Sequence, residues 1–371
     1  MSSLLIKLFK TKLRFKKPKN KSFLIYDYGS FCKGTHKFLF KNKKNIGIFY
    51  SRGEELNIYA LILTIFKKGL KNLILNYKKT YLELVKPKVV FTSIDHDPMF
   101  FALKIIYPNA KYISDQHGIS KVPGHKWPNS FFFRCKSIAK KLGQKKLKAD
   151  IIFVFNEYEK LWMSKIIESK FYVLGNTLNN YYNLKKNKKK RKKILFLSSG
   201  LNKSLNKNRF QIDKRVFANT YKICKKNNFK LSLLARHNSK FEKKYREIFI
   251  SGNWLYISWK NLTSSYEAIN NHDLILSTVS SLGFEALSKD KKCIFFLNSL
   301  VKKTLNWRFN NEGFFWTTNL NEKNIEKIIL RVKNSKLDFW KKTSRKLATN
   351  MLVYDKNNML KKKIIKRIIY S

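Results

Sequence analysis

The chain has 371 residues, of which 44% are hydrophobic and 15% aromatic, so it can bury a large core and is not globally disordered. Lys and Arg number 79 against 23 Asp and Glu, which gives a formal net charge of +56. This charge points to nucleic acid or an anionic membrane face as partner. An A/T-rich genome is the alternative source of the charge, because Lys, Asn, Ile and Phe are all frequent.

The cysteines and the apolar runs argue against export. The longest apolar stretch, Ile58–Phe66, is far shorter than the ~20 residues of a membrane span. Met1–Phe9 has no small-residue cleavage site. The scattered cysteines predict free thiols in a reducing compartment; they are Cys32, Cys135, Cys224 and Cys293. We therefore expect a cytoplasmic protein, soluble or peripheral on the inner face of the membrane.

Short apolar runs alternate with helix-length segments, which predicts an α/β fold with largely parallel sheets. In the first half the predicted strands are Phe23–Tyr26, Ile46–Tyr50, Val89–Ser93, Lys111–Ser114, Ile151–Phe155 and Phe171–Leu174. The predicted helices between them are Leu56–Lys67, Tyr77–Val85 and Met99–Ile106.

A basic block, Lys185–Lys193, contains no apolar residue and predicts a solvated linker over 181–193. The strands predicted after it are Ile194–Leu197, Lys230–Ala235, Trp254–Ile257, Asp273–Ser277 and Cys293–Phe296. The helices are Lys214–Lys226, Ser264–Asn270, Leu282–Ser288, Glu322–Asn334 and Leu337–Leu352. This pattern predicts Rossmann-like domains over 22–180 and 194–350, with a ligand in the cleft between them.

Both chain ends, 1–21 and 351–371, have apolar residues on one helical face and basic residues around it. The first face contains Leu4, Leu5, Leu8, Phe9 and Leu13. The second contains Leu360, Ile364, Ile365, Ile368 and Ile369, opposite Lys361, Lys362, Lys363, Lys366 and Arg367. Such a helix can lie in an anionic membrane interface or dock on the protein's own core, and the sequence leaves both open.

One motif is rejected as a ligand site, and in Asp95-His96-Asp97, which resembles a metal-binding D-x-D, a structural role is favoured for Asp97. Gly29–His36 has the glycine spacing of a phosphate loop but lacks its Lys-Ser/Thr pair. Asp97 followed by Pro98 is typical of a helix start, with an N-cap acceptor and proline at the first helical position. Asp95, at the end of a predicted strand, remains a candidate for the site.

The most informative stretch joins the strand ending at Ser277 to a helix beginning near Ser281. Free N–H groups at that helix start can hold a phosphate, with Ser280 and Ser281 as further donors and Gly283 allowing close approach. Glu285 can accept hydrogen bonds from ribose or sugar hydroxyls. The alternative is an ordinary helix capped by Ser280 or Ser281, with Glu285 as a partner of the helix dipole.

Three more candidates follow predicted strands. Arg236 and His237 come directly after one strand, and Arg suits bidentate phosphate contact. His117 follows another strand, ahead of a predicted loop over Ile119–Asn129, and a His there can act as general base on an acceptor hydroxyl. The alternatives are a surface Arg and a structural His.

These segments together resemble one protein family. Ser265–Phe296 looks like the donor-domain signature of GT-B-like surface-carbohydrate biosynthesis proteins from capsule and O-antigen gene clusters, and Glu312–Trp316 resembles a later element of that family. The first half fits as well, at Ser51–Glu54, Lys86–Val90, Asp95, Gln116–Gly118 and Gly175–Asn180. The resemblance covers about residues 22–345.

The resemblance implies a GT-B-like fold of two Rossmann-like domains, with a nucleotide-activated donor on the second and an acceptor on the first. It implies a glycosyltransferase that needs no catalytic metal and no cofactor besides its nucleotide sugar, with a glycan or lipid-linked acceptor. The donor-binding residues would be Arg236, His237, Ser280, Ser281, Gly283 and Glu285, and the catalytic ones His117 and Asp95.

Three alternatives remain. A CDP-polyol phosphotransferase and a nucleotide-sugar epimerase use similar folds. A non-specific nucleic-acid-binding protein would explain the charge, but the basic blocks lack interleaved aromatic platforms.

Overall fold

The structure is a computed structural model. It describes residues 11–40, 45–116, 118, 126–182, 192–198, 207–236, 252–258, 260, 262–278, 280–299, 301–302 and 309–370. The chain forms two compact units. Unit 1 consists of Met1–Gly118, Lys126–Tyr181 and Asp355–Ser371, and unit 2 of Ile119–His125 and Tyr182–Tyr354.

Unit 1 is built on a six-stranded sheet in the order β3-β2-β5-β6-β7-β8, with every neighbouring pair parallel. The strands of unit 1 are β1 Lys12–Arg14, β2 Phe23–Ile25, β3 Ile46–Ile48, β4 Glu55–Asn57, β5 Val89–Thr92, β6 Lys111–Asp115, β7 Leu147–Val154 and β8 Ile167–Val173. Of these, β1 and β4 lie outside the six-stranded sheet and form a separate parallel pair. The order reverses at β2, which is flanked by β3 and β5. In open α/β sheets ligands bind outside the carboxyl ends of the strands at such a reversal.

Helices connect these strands, as parallel pairing requires. They are α1 Tyr28–Lys33, α2 Thr35–Leu39, α3 Ile58–Lys68, α4 Leu73–Val85, α5 Pro98–Ile106, α6 Lys126–Lys141, α7 Glu157–Met163 and α8 Thr177–Tyr181. The side chain of Asp97 accepts a hydrogen bond from the Met99 N–H, and Pro98 opens α5. The predicted cap is confirmed.

Two apolar clusters form the core of unit 1. One contains Tyr26, Phe100 and Tyr112, whose rings meet edge to face at 5.3 and 5.6 Å. The other contains Phe91 and Ile151 together with Ile365 from the C-terminal helix α14, Met359–Tyr370. The apolar side of α14 therefore packs into this second cluster of unit 1.

Unit 2 repeats the architecture with the order β11-β10-β9-β12-β13-β14, again all parallel. Its strands are β9 Lys193–Leu197, β10 Lys230–Leu234, β11 Trp254–Ile257, β12 Leu274–Ser277, β13 Lys292–Phe296 and β14 Trp316–Thr317. Its helices are α9 Lys207–Lys226, α10 Leu262–Asn270, α11 Ser281–Leu287, α12 Glu322–Asn334 and α13 Leu337–Met351. The order reverses at β9, between β10 and β12, as in dinucleotide-binding folds.

The predicted α/β class with largely parallel sheets is confirmed, but several local predictions are wrong. Leu13 lies in β1 and not on a helical face, because Lys12–Arg14 pairs with Glu55–Asn57. Because of the same pairing, α3 begins at Ile58 and not at the predicted Leu56. Lys126–Asn129 belongs to α6 and not to a loop.

The C-terminal helix also corrects the predicted amphipathic pattern. Leu360, expected on the apolar face, is 53% exposed, whereas Lys361, expected on the basic face, is fully buried.

Within the described part of the chain, no helix is long and apolar enough to cross a bilayer.

Candidate functional site

Two buried hydroxyl residues lie at the carboxyl edge of the unit 2 sheet, at the point where the strand order reverses. Ser198 follows β9 and Thr278 follows β12, and both are buried. The Thr278 hydroxyl donates to the carboxylate of Asp213, on α9, at 2.5 Å. Sequence reasoning missed Asp213, because it lies inside a helix that looks ordinary in the sequence.

The turn into α11 lies next to these two hydroxyl residues. Ser280 occupies the N-cap position, but its side chain makes no capping hydrogen bond to the described helix, so the simple capping alternative does not hold for Ser280. Ser281 is exposed. A Cβ added to Gly283 would lie 2.9 Å from Cβ and Oγ of Ser277 and 3.1 Å from the Phe295 ring. Glycine is therefore needed here for helix–strand packing.

Glu285 lies in a buried polar network. The Tyr266 hydroxyl donates to its Oε2, and the Tyr182 ring stacks on Tyr266 with centroids 4.8 Å apart. The Lys289 ammonium lies 4.7 Å from the centre of the Tyr266 ring and donates to the Tyr182 carbonyl. Burial raises the pKa of Glu285 to about 7 and lowers the pKa of Lys289 to about 8. Glu285 thus has a protein partner that the sequence did not predict.

Arg236 lies at the same edge. It is exposed and follows Ala235, whose N–H donates to the Ile257 carbonyl on the neighbouring strand at 3.0 Å. His237 lies outside the described residues.

The carboxyl edge of the unit 1 sheet carries an aspartate at each of three neighbouring strands, β2, β5 and β6. Asp115 is already paired, since the Lys361 ammonium donates to its Oδ1 at 2.7 Å. Lys361 also donates to the Gly175 carbonyl at 2.6 Å and to the Thr177 hydroxyl at 2.9 Å. His117, the predicted general base next to this edge, lies outside the described residues.

Asp95 is 7% exposed and follows β5. Its Oδ1 lies 3.9 Å from Nδ1 of His96. Burial lowers the pKa of Lys33 to about 8, against the opposing effect of the carboxylates of Asp95 and Asp27. These charged groups therefore belong to one cluster at the edge where the strand order reverses.

Asp27, directly after β2 and Tyr26, is a second residue that the sequence did not single out. It is 1% exposed and has a φ of 136°, a conformation that L-residues rarely adopt and that costs roughly 1–3 kcal/mol. Its Oδ1 accepts the Ser30 N–H at 2.8 Å. Its Oδ2 has no hydrogen-bond partner among the described residues, and the Arg52 guanidinium lies 3.8 Å away.

Burial raises the pKa of Asp27, while the Ser30 N–H and Arg52 act in the opposite direction. Strained conformations cluster at functional sites, and a buried carboxylate with one unbonded oxygen can accept a proton. The signal in the sequence was the position of Asp27 at the end of a buried strand, the same signal that selected Asp95 and Arg236.

The sequence matches a protein family assigned to O-antigen biosynthesis over residues 135–369, which is more than half of the chain. The chain belongs to this family. No curated protein has a significantly similar sequence.

Solved structures share the fold over nearly the whole chain. A Listeria monocytogenes protein assigned as a UDP-N-acetylglucosamine 2-epimerase is 12% identical, covers 94% of this chain and 96% of its own, and has a TM-score of 0.57. The UDP-GlcNAc 2-epimerase of Methanocaldococcus jannaschii is 14% identical, covers 95% and 100%, and has a TM-score of 0.55. The Neisseria meningitidis enzyme, bound to UDP-GlcNAc, is 15% identical, covers 97% and 99%, and has a TM-score of 0.52.

The family and the fold confirm the resemblance seen in the sequence. The protein has a GT-B-like fold with two Rossmann-like units, and its family is one of O-antigen biosynthesis.

Proposed function

We propose that the protein transfers a sugar from a nucleotide-activated donor to a glycan or lipid-linked acceptor during surface-polysaccharide assembly. The observation that carries the proposal is membership of an O-antigen biosynthesis family by a chain with two Rossmann-like sheets. Assembly of a polysaccharide requires glycosyl transfer at each addition of a sugar. The nucleotide-sugar donor is supported by the fold that this chain shares with the Neisseria enzyme bound to UDP-GlcNAc.

In this proposal unit 2 binds the donor. The diphosphate lies at the start of α11, near Ser280, Ser281 and Gly283, and Arg236 with His237 neutralises its charge. Glu285 accepts hydrogen bonds from ribose or sugar hydroxyls through the oxygen that Tyr266 does not occupy. The support is their place at the carboxyl edge of a sheet whose strand order reverses there.

Unit 1 binds the acceptor and removes its proton. The candidates for the base are His117 and Asp95, and we add Asp27, whose Oδ2 has no hydrogen-bond partner within the described part of the chain. The acceptor oxygen forms a bond to the anomeric carbon as the bond from that carbon to the diphosphate breaks. The acceptor proton goes to the base, and Arg236 stabilises the negative charge that develops on the leaving nucleotide.

Epimerisation of a nucleotide sugar is the second candidate, because the epimerases of known structure share this fold over nearly their whole length. Both reactions need the donor site, but only transfer needs an acceptor hydroxyl.

The two reactions are separated by incubating the protein with UDP-, GDP-, CDP- and CMP-linked sugars, each with and without a prenyl-diphosphate-linked sugar as acceptor. Nucleotide release and product are followed by 31P and 1H NMR. Transfer predicts release of nucleotide that depends on the acceptor. A new epimer of the intact nucleotide sugar, formed without acceptor, would favour epimerisation and contradict the proposal.

A further inference from the structure

Helix α3 has an unusual distribution of side chains between core and solvent. Its residues Ile58–Phe66 include no charged side chain, yet the buried residues of this fully described helix are the small Ala60 and Thr64. Ile58, Leu61 and Leu63 are half-buried, and the other large apolar side chains face solvent, with Ile62 48% and Phe66 85% exposed. In a helix that serves only the core of its own unit, the large apolar residues would be the buried ones.

The exposed apolar residues continue beyond α3 into α4, against which α3 packs. We define the α3 surface by its six large exposed members, Tyr59, Ile62, Ile65, Phe66, Leu70 and Ile74. The strand β1 also contacts α3, and it adds the exposed Leu13. Contiguous apolar patches on monomers mark interaction sites, whereas single exposed apolar residues need no explanation.

The charges around this surface are mostly positive. Glu55 on β4 pairs with Arg14, and Glu83 on α4 pairs with Lys68 at the end of α3. Between Leu56 and Leu82 the sequence contains no Asp or Glu. Lys67 and Lys71 are exposed at the end of α3 and in the turn after it. The segment 11–21, which includes β1, is also free of acidic residues and contains six basic ones, namely Lys12, Arg14, Lys16, Lys17, Lys19 and Lys21. The partner must therefore be both apolar and anionic.

These properties select among the classes of partner. A second copy of a chain with a net charge of +56 would be repelled, and nucleic acid would leave the aliphatic side chains without a binding partner. An anionic lipid leaflet satisfies both requirements, because apolar side chains enter the acyl boundary while Lys side chains reach the phosphates.

We propose that the α3 surface binds the protein to an anionic lipid leaflet. The C-terminal helix is not available for this, since Ile365 and its neighbours Ile364 and Ile368 pack into the core of unit 1. The proposal adds a membrane-contact surface to the proposed function, and it does not depend on which sugar reaction the protein performs.

The test is co-sedimentation of the full-length protein with vesicles of phosphatidylcholine, either pure or containing about one third phosphatidylglycerol. The double variant I62S/F66S removes two exposed members of the α3 surface. The control is L161S, because Leu161 is a similarly exposed apolar residue of unit 1, on α7, at 60%. A second variant, K67E/K71E, tests the flanking charge while leaving the apolar residues in place.

The proposal predicts that the wild type and L161S bind the anionic vesicles at least about tenfold better than the neutral ones. It predicts that I62S/F66S and K67E/K71E each lose about tenfold or more of that binding. Equal binding by I62S/F66S and the wild type would overturn the proposal, as would failure of the wild type to bind either vesicle. For both double variants, an unchanged circular dichroism spectrum excludes misfolding. If these variants still show a thermal shift with the nucleotide sugar, their loss of vesicle binding is separate from any loss at the donor site.

Discussion

The ammonium group of Lys361 lies 2.7 Å from the carboxylate of Asp115, although 246 positions separate the two residues in the chain. Both side chains are shielded from solvent, at 0% and 2% exposure. The Thr177 hydroxyl and the Gly175 carbonyl take the remaining donors of Lys361. This buried pair fixes α14 against the edge of the unit 1 sheet, next to the cluster that contains Asp27 and Asp95.

Replacing Lys361 by Met should destabilise unit 1 by about 3–5 kcal/mol, because Asp115 would remain as an uncompensated buried charge. Burial lowers the pKa of Lys361, and Asp115 acts in the opposite direction, so the ammonium depends on this carboxylate. The measurement is urea unfolding followed by circular dichroism. Lys363→Met is the matched control, since Lys363 lies on the same helix and is exposed. Equal unfolding midpoints for the two variants would contradict the structure.

Replacing Asp27 by Asn should lower turnover by about 10²–10⁴-fold if this carboxylate accepts the acceptor proton. The free energy of unfolding should change by less than about 1 kcal/mol, because an Asn side chain can still accept the Ser30 N–H. Initial rates and urea unfolding are measured on the same preparations, with the exposed Asp338→Asn as control. Full activity of Asp27→Asn would remove Asp27 from the mechanism.

Replacing Glu285 by Gln should change how stability depends on pH. The folded-state pKa is raised from 4.5 to about 7, so the folded protein holds this proton more tightly than the unfolded chain. The free energy of unfolding therefore falls as pH rises from 4.5 to 7, by on the order of 3 kcal/mol, and is level above that range. Glu285→Gln should lack this fall.

Urea unfolding at several pH values between 5 and 8 measures the difference between the wild type and Glu285→Gln. His272, whose pKa is lowered by burial, acts in the opposite direction but cancels in that difference. The exposed Glu267→Gln is the control. A difference that does not vary with pH would show that Glu285 titrates as an ordinary carboxylate.

Much of the fold could be predicted because its signals are local. Trp254–Ile257 and Glu322–Asn334 have the predicted bounds, since an uninterrupted apolar run and a regular helical spacing each identify their own element. The Asp97 cap was predictable for the same reason. The donor-side candidates Arg236 and Ser280 came from positions after strands, and in the structure they follow β10 and β12, whereas Glu285 lies further along α11.

The remaining features depend on distant parts of the chain. The start of α3 is set by pairing between β4 and β1, which are far apart in sequence. In a run of basic residues nothing local distinguishes Lys361 from Lys363, because only Asp115 decides which ammonium is buried. Asp27 was missed because its strained φ is imposed by its surroundings and is not encoded by its residue type.

Arg236→Ala should abolish binding of the donor diphosphate while leaving the fold intact, because Arg236 is exposed at the sheet edge. The matched control is Arg215→Ala, since Arg215 is an exposed arginine on α9 of the same unit. Arg331 is a poorer control, because its guanidinium donates to the Gly313 carbonyl at 2.8 Å and lies 5.2 Å from the centre of the Phe314 ring.

The central claim, that unit 2 binds a nucleotide-activated donor, is tested most directly by thermal unfolding at fixed salt with UDP-, GDP-, CDP- and CMP-linked sugars, CDP-glycerol and a short DNA duplex. A ligand at about 100 times its Kd stabilises the folded state by about 2.7 kcal/mol. The account predicts that one class of nucleotide sugar raises the Tm of the wild type and of Arg215→Ala, but not of Arg236→Ala. A shift with DNA alone, lost in about 0.5 M salt, would contradict it.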